Sequence, residues 1–112
     1  METHLTLTDS FSAAHRTHDG EPSREHGHNY RVRITTSDVR DYALGEDLDQ
    51  VLVELHLRPL EEMLTGGLTT PPGIAAWICE QLLQRHPYIT AVEVEESDRL
   101  SGGITREPRV LR

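Results

Sequence analysis

Seven histidines in a chain of 112 residues are the unusual resource of this sequence, and two of them form His26-Gly27-His28. In an extended segment residues i and i+2 project to the same side, so this triplet can aim two imidazoles at one metal ion. Gly27 leaves the backbone between them free to conform. His15, at the end of the first predicted strand, would supply a third nitrogen. Three histidines on a tetrahedral ion leave one position open, as catalytic zinc requires. His18 could close that position and make the site structural. The spacing thus raises a Zn²⁺ site on His15, His26 and His28 and leaves its fourth ligand undecided. Solvated loop histidines are the plain alternative, and spacing alone does not choose between the two.

The basic residues narrow the chemistry further. All eleven are Arg and no Lys occurs. A lysine Schiff base is therefore excluded, and with it covalently held pyridoxal phosphate, lysine-dependent aldolase chemistry and the phosphate-loop lysine. Carbonyl chemistry would need another electrophile, and a metal ion can be one. Nineteen acidic residues against eleven basic give a net charge of -8, with no segregated basic patch, so nucleic acid is not an expected partner. A single cysteine, Cys79, excludes an internal disulfide and every multi-cysteine metal site. The longest apolar stretches, Gly73 to Ile78 and Val51 to Val53, fall far below the roughly 20 residues of a membrane span. The Met1-Glu2-Thr3-His4 start has neither a basic nor an apolar signal region, so the expectation is a cytoplasmic protein without membrane contact.

At this length the chain is one domain, residues 1–112. From His4 to Phe11, Leu5, Leu7 and Phe11 share one parity while Thr6 and Thr8 take the other, the period-2 pattern of a half-buried strand. Tyr30, Val32 and Ile34 against Arg31 and Arg33 mark a second. The polar segment from Ser12 to Asn29 reads as a loop, functional or disordered, and holds four histidines. Leu48 to Leu64 has helical spacing opened by Glu46, Asp47 and Asp49, with Pro59 predicted to kink or split it. Thr69 to Gly73 reads as a second helix start, followed by Ile74, Ala75, Ile78, Cys79, Leu82 and Leu83 on one face up to Arg85, which makes Cys79 core. Ile89 to Ser97 is a third strand and Ile104 to Leu111 a weaker fourth, broken by Pro108. The order ββααββ describes an α+β domain with an antiparallel sheet. On the third strand Glu96 shares parity with Val92 and Val94 and so points toward the apolar side, whereas Glu93 and Glu95 face water. An inward carboxylate needs a partner.

Phe11-Ser12-Ala13-Ala14-His15, followed by His26-Gly27-His28-Asn29-Tyr30 running straight into a strand, resembles the family of 6-pyruvoyltetrahydropterin synthase and 6-carboxytetrahydropterin synthase. The resemblance implies zinc on His15, His26 and His28. It also implies the tunnelling fold, in which two helices cover one face of the sheet and subunits join into a barrel with sites at their interfaces. A homo-oligomer is accordingly expected. Val92-Glu93-Val94-Glu95-Glu96-Ser97 is similar to the family strand whose Glu holds the substrate's amino and ring N–H groups, which maps to Glu96.

Departures from the family pattern bear on the activity. The family's catalytic Cys, four residues before the first His of His-Gly-His, is Pro22 here, and Ser23 is one residue off register. The family's Asp-His pair near the end of the first helix is expected within Met63 to Gly66, where neither residue type occurs. Thr69-Thr70-Pro71-Pro72 stands where the family has Pro-Thr-Ser-Glu. The resemblance therefore implies a zinc-dependent lyase or cyclase with altered chemistry. Its substrate would be a small nitrogen-containing molecule or a hydroxyaldehyde, with carbon-carbon ring closure as one variant. His18 and Glu25 are the first candidates for proton transfer, ahead of Asp19 and His56. The rival readings are a non-catalytic module that binds zinc and a pterin-like ligand, and a structural zinc fold with His18 as fourth ligand.

Overall fold

The computed structural model describes residues 1–18, 21–64 and 69–107, with side chains described for 1–15, 26–64 and 69–107. Its first unit is a long antiparallel hairpin of β1 (Leu5–His18) and β2 (Glu21–Thr36), paired from Leu5↔Thr36 to His18↔Glu21. Strand pairing thus runs through the polar segment that reads as a loop from sequence. Polar side chains do not prevent a ladder, because the backbone groups of each arm are satisfied by the other. The inward parity of Phe11 continues through Ala13 to His15, and that of Tyr30 back through His28 to His26. A register irregularity falls between His15 and Thr17, just beyond the first of these histidines.

The sheet is completed by β3 (Ile89–Ser97) and β4 (Leu100–Thr105) in the order β1-β2-β3-β4, antiparallel throughout. The fourth strand starts earlier than its apolar pattern predicts. A Cβ on Gly103 would meet the Val92 carbonyl oxygen at 2.1 Å, so a residue without a side chain lets β4 lie this close to β3.

Helices α1 (Ala43–Leu55), α2 (Leu60–Met63) and α3 (Pro71–Leu82) lie between the two halves of the sheet in sequence and cover one of its faces. Pro59 splits the helical pattern as predicted, but the first helix ends at Leu55. The linker is pinned to the free edge of β1. The Leu57 N–H donates to the Ser12 carbonyl at 2.6 Å, the Ala14 N–H to the Arg58 carbonyl at 3.4 Å, and Leu57 takes a φ of 60°. In α3, Pro71 and Pro72 occupy the first turn, where no N–H is needed.

Leu44, Leu48, Leu52 and Leu55 of α1 and Ile74, Ile78 and Leu82 of α3 bury their apolar stripes against Tyr30, Val32, Ile34, Val92 and Val94. Cys79 is part of this core, and burial pushes its thiol pKa up. Among the described residues no helix is long and apolar enough to cross a membrane. One feature of register positions the site: β3 pairs with β2 only from Ile89 to Glu95, opposite Thr36 to Arg31. Beyond that point the hairpin overhangs the sheet, carrying its histidines past the end of β3.

Candidate metal and substrate site

His15 lies directly across the ladder from His26, and Ala13 across from His28, so three inward histidines converge on the overhang. One ring nitrogen from each of His15, His26 and His28 lies within 4.8 Å of the other two. The ring centroids of His15 stand 4.3 Å from His26 and 5.1 Å from His28. His15 is buried; the other two are half-buried, which leaves one side of the cluster accessible. The Nε2 atoms of His15 and His28 are buried and have no hydrogen-bond partner among the described residues. Buried orphaned nitrogens are costly, and two pointing into one histidine cluster suit a metal ion.

The other nitrogen of His15, Nδ1, is 3.3 Å from the Thr69 hydroxyl, just ahead of α3. Such an outer contact fixes the ring and leaves Nε2 to ligate. Thr69 carries no local sequence signal for this role, because the contact spans the chain from β1 to the start of α3.

Glu96 is inward, as its parity predicts, and only 7% exposed. It is not across a cavity from the histidines but among them. Its Oε1 lies 3.4 Å from His15 Nε2 and 3.6 Å from His28 Nε2, and the Tyr30 hydroxyl donates to the same oxygen over 3.5 Å. The cause is register: Arg31 pairs with Glu95, so the next inward residue on β3 falls beside Tyr30 and diagonal to His28. Tyr30 reads from sequence only as a core residue. Its parity, shared with His26 and His28, was the available signal.

Burial is the main cause that lowers the pKa of His15, joined by the neighbouring rings of His26 and His28; Glu96 and Glu61 act in the opposite direction. A neutral imidazole is the ligating form. Burial, followed by the charge of Glu96, pushes the Tyr30 phenol well up, so it remains a donor. Glu61 of α2 also adds negative potential at both His15 and Tyr30, a contribution from a residue the sequence pattern does not single out.

The expectations for His18, Asp19, Pro22, Ser23 and Glu25 fall on side chains outside the described residues. Leu64 is buried at the end of α2, while residues 65–68 also lie outside the described part. Because the first helix ends at Leu55, the residues at its end are His56 and Leu57: a His, with no Asp beside it. His56 accepts a hydrogen bond at Nδ1 from the Ser12 N–H at 3.1 Å, which ties it to the edge of β1. A hollow of about 330 Å³ adjoins His28, lined by Ser12, Ala13, Ala14, Gly27, Asn29 and Leu57; Glu96 is not part of its lining.

With this geometry in place, comparison with known proteins gives a consistent result. The family model described as 6-pyruvoyl tetrahydropterin synthase matches residues 4–107. A 6-carboxy-5,6,7,8-tetrahydropterin synthase of Synechocystis is 32% identical, with 79% of this chain and 81% of the relative covered. Among solved structures, the 6-pyruvoyl tetrahydropterin synthase of Caenorhabditis elegans superimposes with a TM-score of 0.80 at 23% identity, covering 94% of this chain and 96% of the other. An uncharacterized protein of Wolinella succinogenes superimposes with a TM-score of 0.73 at 16% identity, covering 94% and 98%. The structural matches share the tunnelling fold. The family match over nearly the whole chain, together with the sequence relative, places this chain in the 6-pyruvoyl tetrahydropterin synthase family.

Proposed function

We propose that the protein is a zinc-dependent lyase or cyclase that has kept the metal and substrate-holding groups of its family while changing the chemistry between them. The family supports the coarser statement, an enzyme of the pterin synthase type acting on a small molecule. The observation that carries the finer one is the convergence of three histidine nitrogens within 4.8 Å, two of them buried without hydrogen bonds among the described residues.

In this reading His15, His26 and His28 hold the metal, and Thr69 sets the ring of His15. Zn²⁺ there would supply Lewis acidity toward a carbonyl or hydroxyl oxygen, a role no lysine can take in this chain. Glu96 accepts hydrogen bonds from substrate N–H groups, held in place by the Tyr30 hydroxyl. His18 and Glu25 remain the candidates for proton transfer, in place of the thiol that Pro22 cannot provide. The substrate class is a small nitrogen-containing molecule or a hydroxyaldehyde, with carbon-carbon ring closure as one reaction that a Lewis-acidic ion would support. A homo-oligomeric assembly belongs to the same proposal.

Metal analysis of the purified protein tests it: about one zinc per chain is expected, lost in His26→Ala, because two nitrogens underdetermine a tetrahedral site. A protein that carries no metal, and whose melting temperature is the same with and without added zinc, would overturn the reading.

A further inference from the structure

We infer that the hollow beside His28 is a binding site for a flat, uncharged ring carrying a hydrogen-bond acceptor, with Leu57 as the side chain that walls it in. The site needs no metal and stands apart from the reading above.

The hollow is floored by the face of the hairpin opposite the histidines. Ser12 pairs with Asn29 and Ala14 with Gly27, and these four carry the outward parity of β1 and β2. Farther along the same face Arg31 and Arg33 stand across from Glu95 and Glu93. Long charged side chains thus give way to two successive pairs of small or uncharged ones, and a depression of about 330 Å³ follows. That volume falls at the low end of small-molecule sites, about 300–1,000 Å³, and suits one ring with a short substituent. No Asp, Glu or Arg among the described residues lines it, so a charged group would find no counter-charge there.

Packing does not demand this emptiness. A Cβ on Gly27 would meet the Ala13 carbonyl oxygen at 3.7 Å, an ordinary contact, so a larger residue would fit the backbone and take only the open space. The polar end is set by Ser12, whose hydroxyl donates to Asn29 Oδ1 at 2.6 Å. With its oxygen engaged, the amide of this exposed side chain turns its nitrogen to an acceptor on the ring.

Leu57 closes one side. A lone exposed apolar side chain is ordinary, but Leu57, 77% exposed, also takes a φ of 60°, which is unfavourable for any residue with a Cβ. Three hydrogen bonds along the edge of β1 hold it there: Leu57 N–H to the Ser12 carbonyl, Ser12 N–H to His56 Nδ1, and Ala14 N–H to the Arg58 carbonyl. Strain enforced on an exposed side chain adds nothing to the core; here it sets an apolar wall beside the hollow.

Titration of the full chain with benzamide, followed through backbone amide resonances, tests the site. Shifts are expected at Ala14, Gly27 and Asn29, at concentrations where benzoate, the same ring with a charge, gives none. Leu57→Gly is expected to weaken benzamide binding by about fivefold or more. It should nevertheless melt no lower than the wild type, because Gly adopts a φ of 60° without penalty. Ala14→Leu, which fills the hollow from its floor, should abolish the shifts at Gly27 and Asn29, and the wild-type titration holds whether or not that variant folds. Absence of shifts in the wild type, equal binding of benzoate, or unchanged benzamide affinity in Leu57→Gly would overturn the assignment. A Leu57→Gly that binds weakly but melts well below the wild type would make Leu57 a structural residue and overturn its role as the wall.

Discussion

Two clusters of histidine and carboxylate flank α3, and they are built to opposite rules. Past its C-terminal end, His86 is 3% exposed, with Nδ1 2.5 Å from Asp41 and Nε2 2.6 Å from Asp47. Arg85 adds a second contact to Asp47 at 2.9 Å. Both ring nitrogens thus lie within hydrogen-bond reach of a carboxylate oxygen. Before the N-terminal end of α3, the Nε2 atoms of His15 and His28 face a carboxylate oxygen at 3.4 and 3.6 Å and make no hydrogen bond among the described residues. A cluster with every nitrogen satisfied at short range is a staple, here joining the start of α1 to the end of α3. A cluster of the same residue types with nitrogens to spare is a site.

The largest effect expected from this contrast lies at the staple. His86→Ala leaves Asp41 and Asp47 facing each other with side chains only 12% and 19% exposed. Removing the partner shared by two largely buried carboxylates costs about 3 kcal/mol, the low end for a buried pair because both carboxylates keep some contact with water. Chemical denaturation should read this loss, while the zinc content of the folded variant stays that of the wild type. A variant of normal stability, or one that loses its zinc while folded, would erase the distinction between the two clusters.

The contrast also marks what could be read from sequence. The histidine triad and the inward turn of Glu96 are legible because both rest on period-2 alternation, which survives whatever the strands pair with. That Glu96 falls among the histidines depends on the register Arg31↔Glu95, which alternation does not contain. The staple is illegible for the same reason in stronger form. Its residues are 45 and 39 positions apart in the chain, and each alone looks like a surface charge. Polarity hid the hairpin overhang, since a strand whose partner satisfies its backbone needs no apolar composition. The split at Pro59 was legible, but the end of the first helix was not. Apolar spacing continues through Leu60, while the chain leaves the helix at His56 to bond β1.

A smaller effect should appear in the pH dependence of the metal-free protein. The His15 pKa is lowered in the fold, by burial first and by His26 next, from an ordinary value of 6.5. The unfolded chain therefore binds this proton more readily than the native one. Stability is unaffected by this group above 6.5, is lost as pH falls through that value, and stops falling once the native ring also takes the proton. Melting temperatures measured on either side of 6.5 should drop less in His15→Gln than in the wild type. Parallel slopes would mean that the open cluster is no more burdened by protonation than the rest of the molecule.

The smallest effect is expected where the same change of charge is made on the other face of β3. Glu93→Gln and Glu96→Gln each remove one negative charge from one strand, three residues apart. Any consequence of net charge alone must appear in both. Glu93 is exposed and pairs across the ladder with Arg33, in a group that includes Arg31 and Glu95. Exposed pairs of this kind contribute little, because water screens them and both side chains lose freedom to meet. Denaturation of Glu93→Gln should differ from the wild type by less than about 0.5 kcal/mol, with zinc affinity unchanged. A loss of zinc affinity in Glu93→Gln equal to that in Glu96→Gln would assign the effect to the field of the whole strand. A loss confined to Glu96 assigns it to one oxygen atom held 3.4 Å from His15 Nε2.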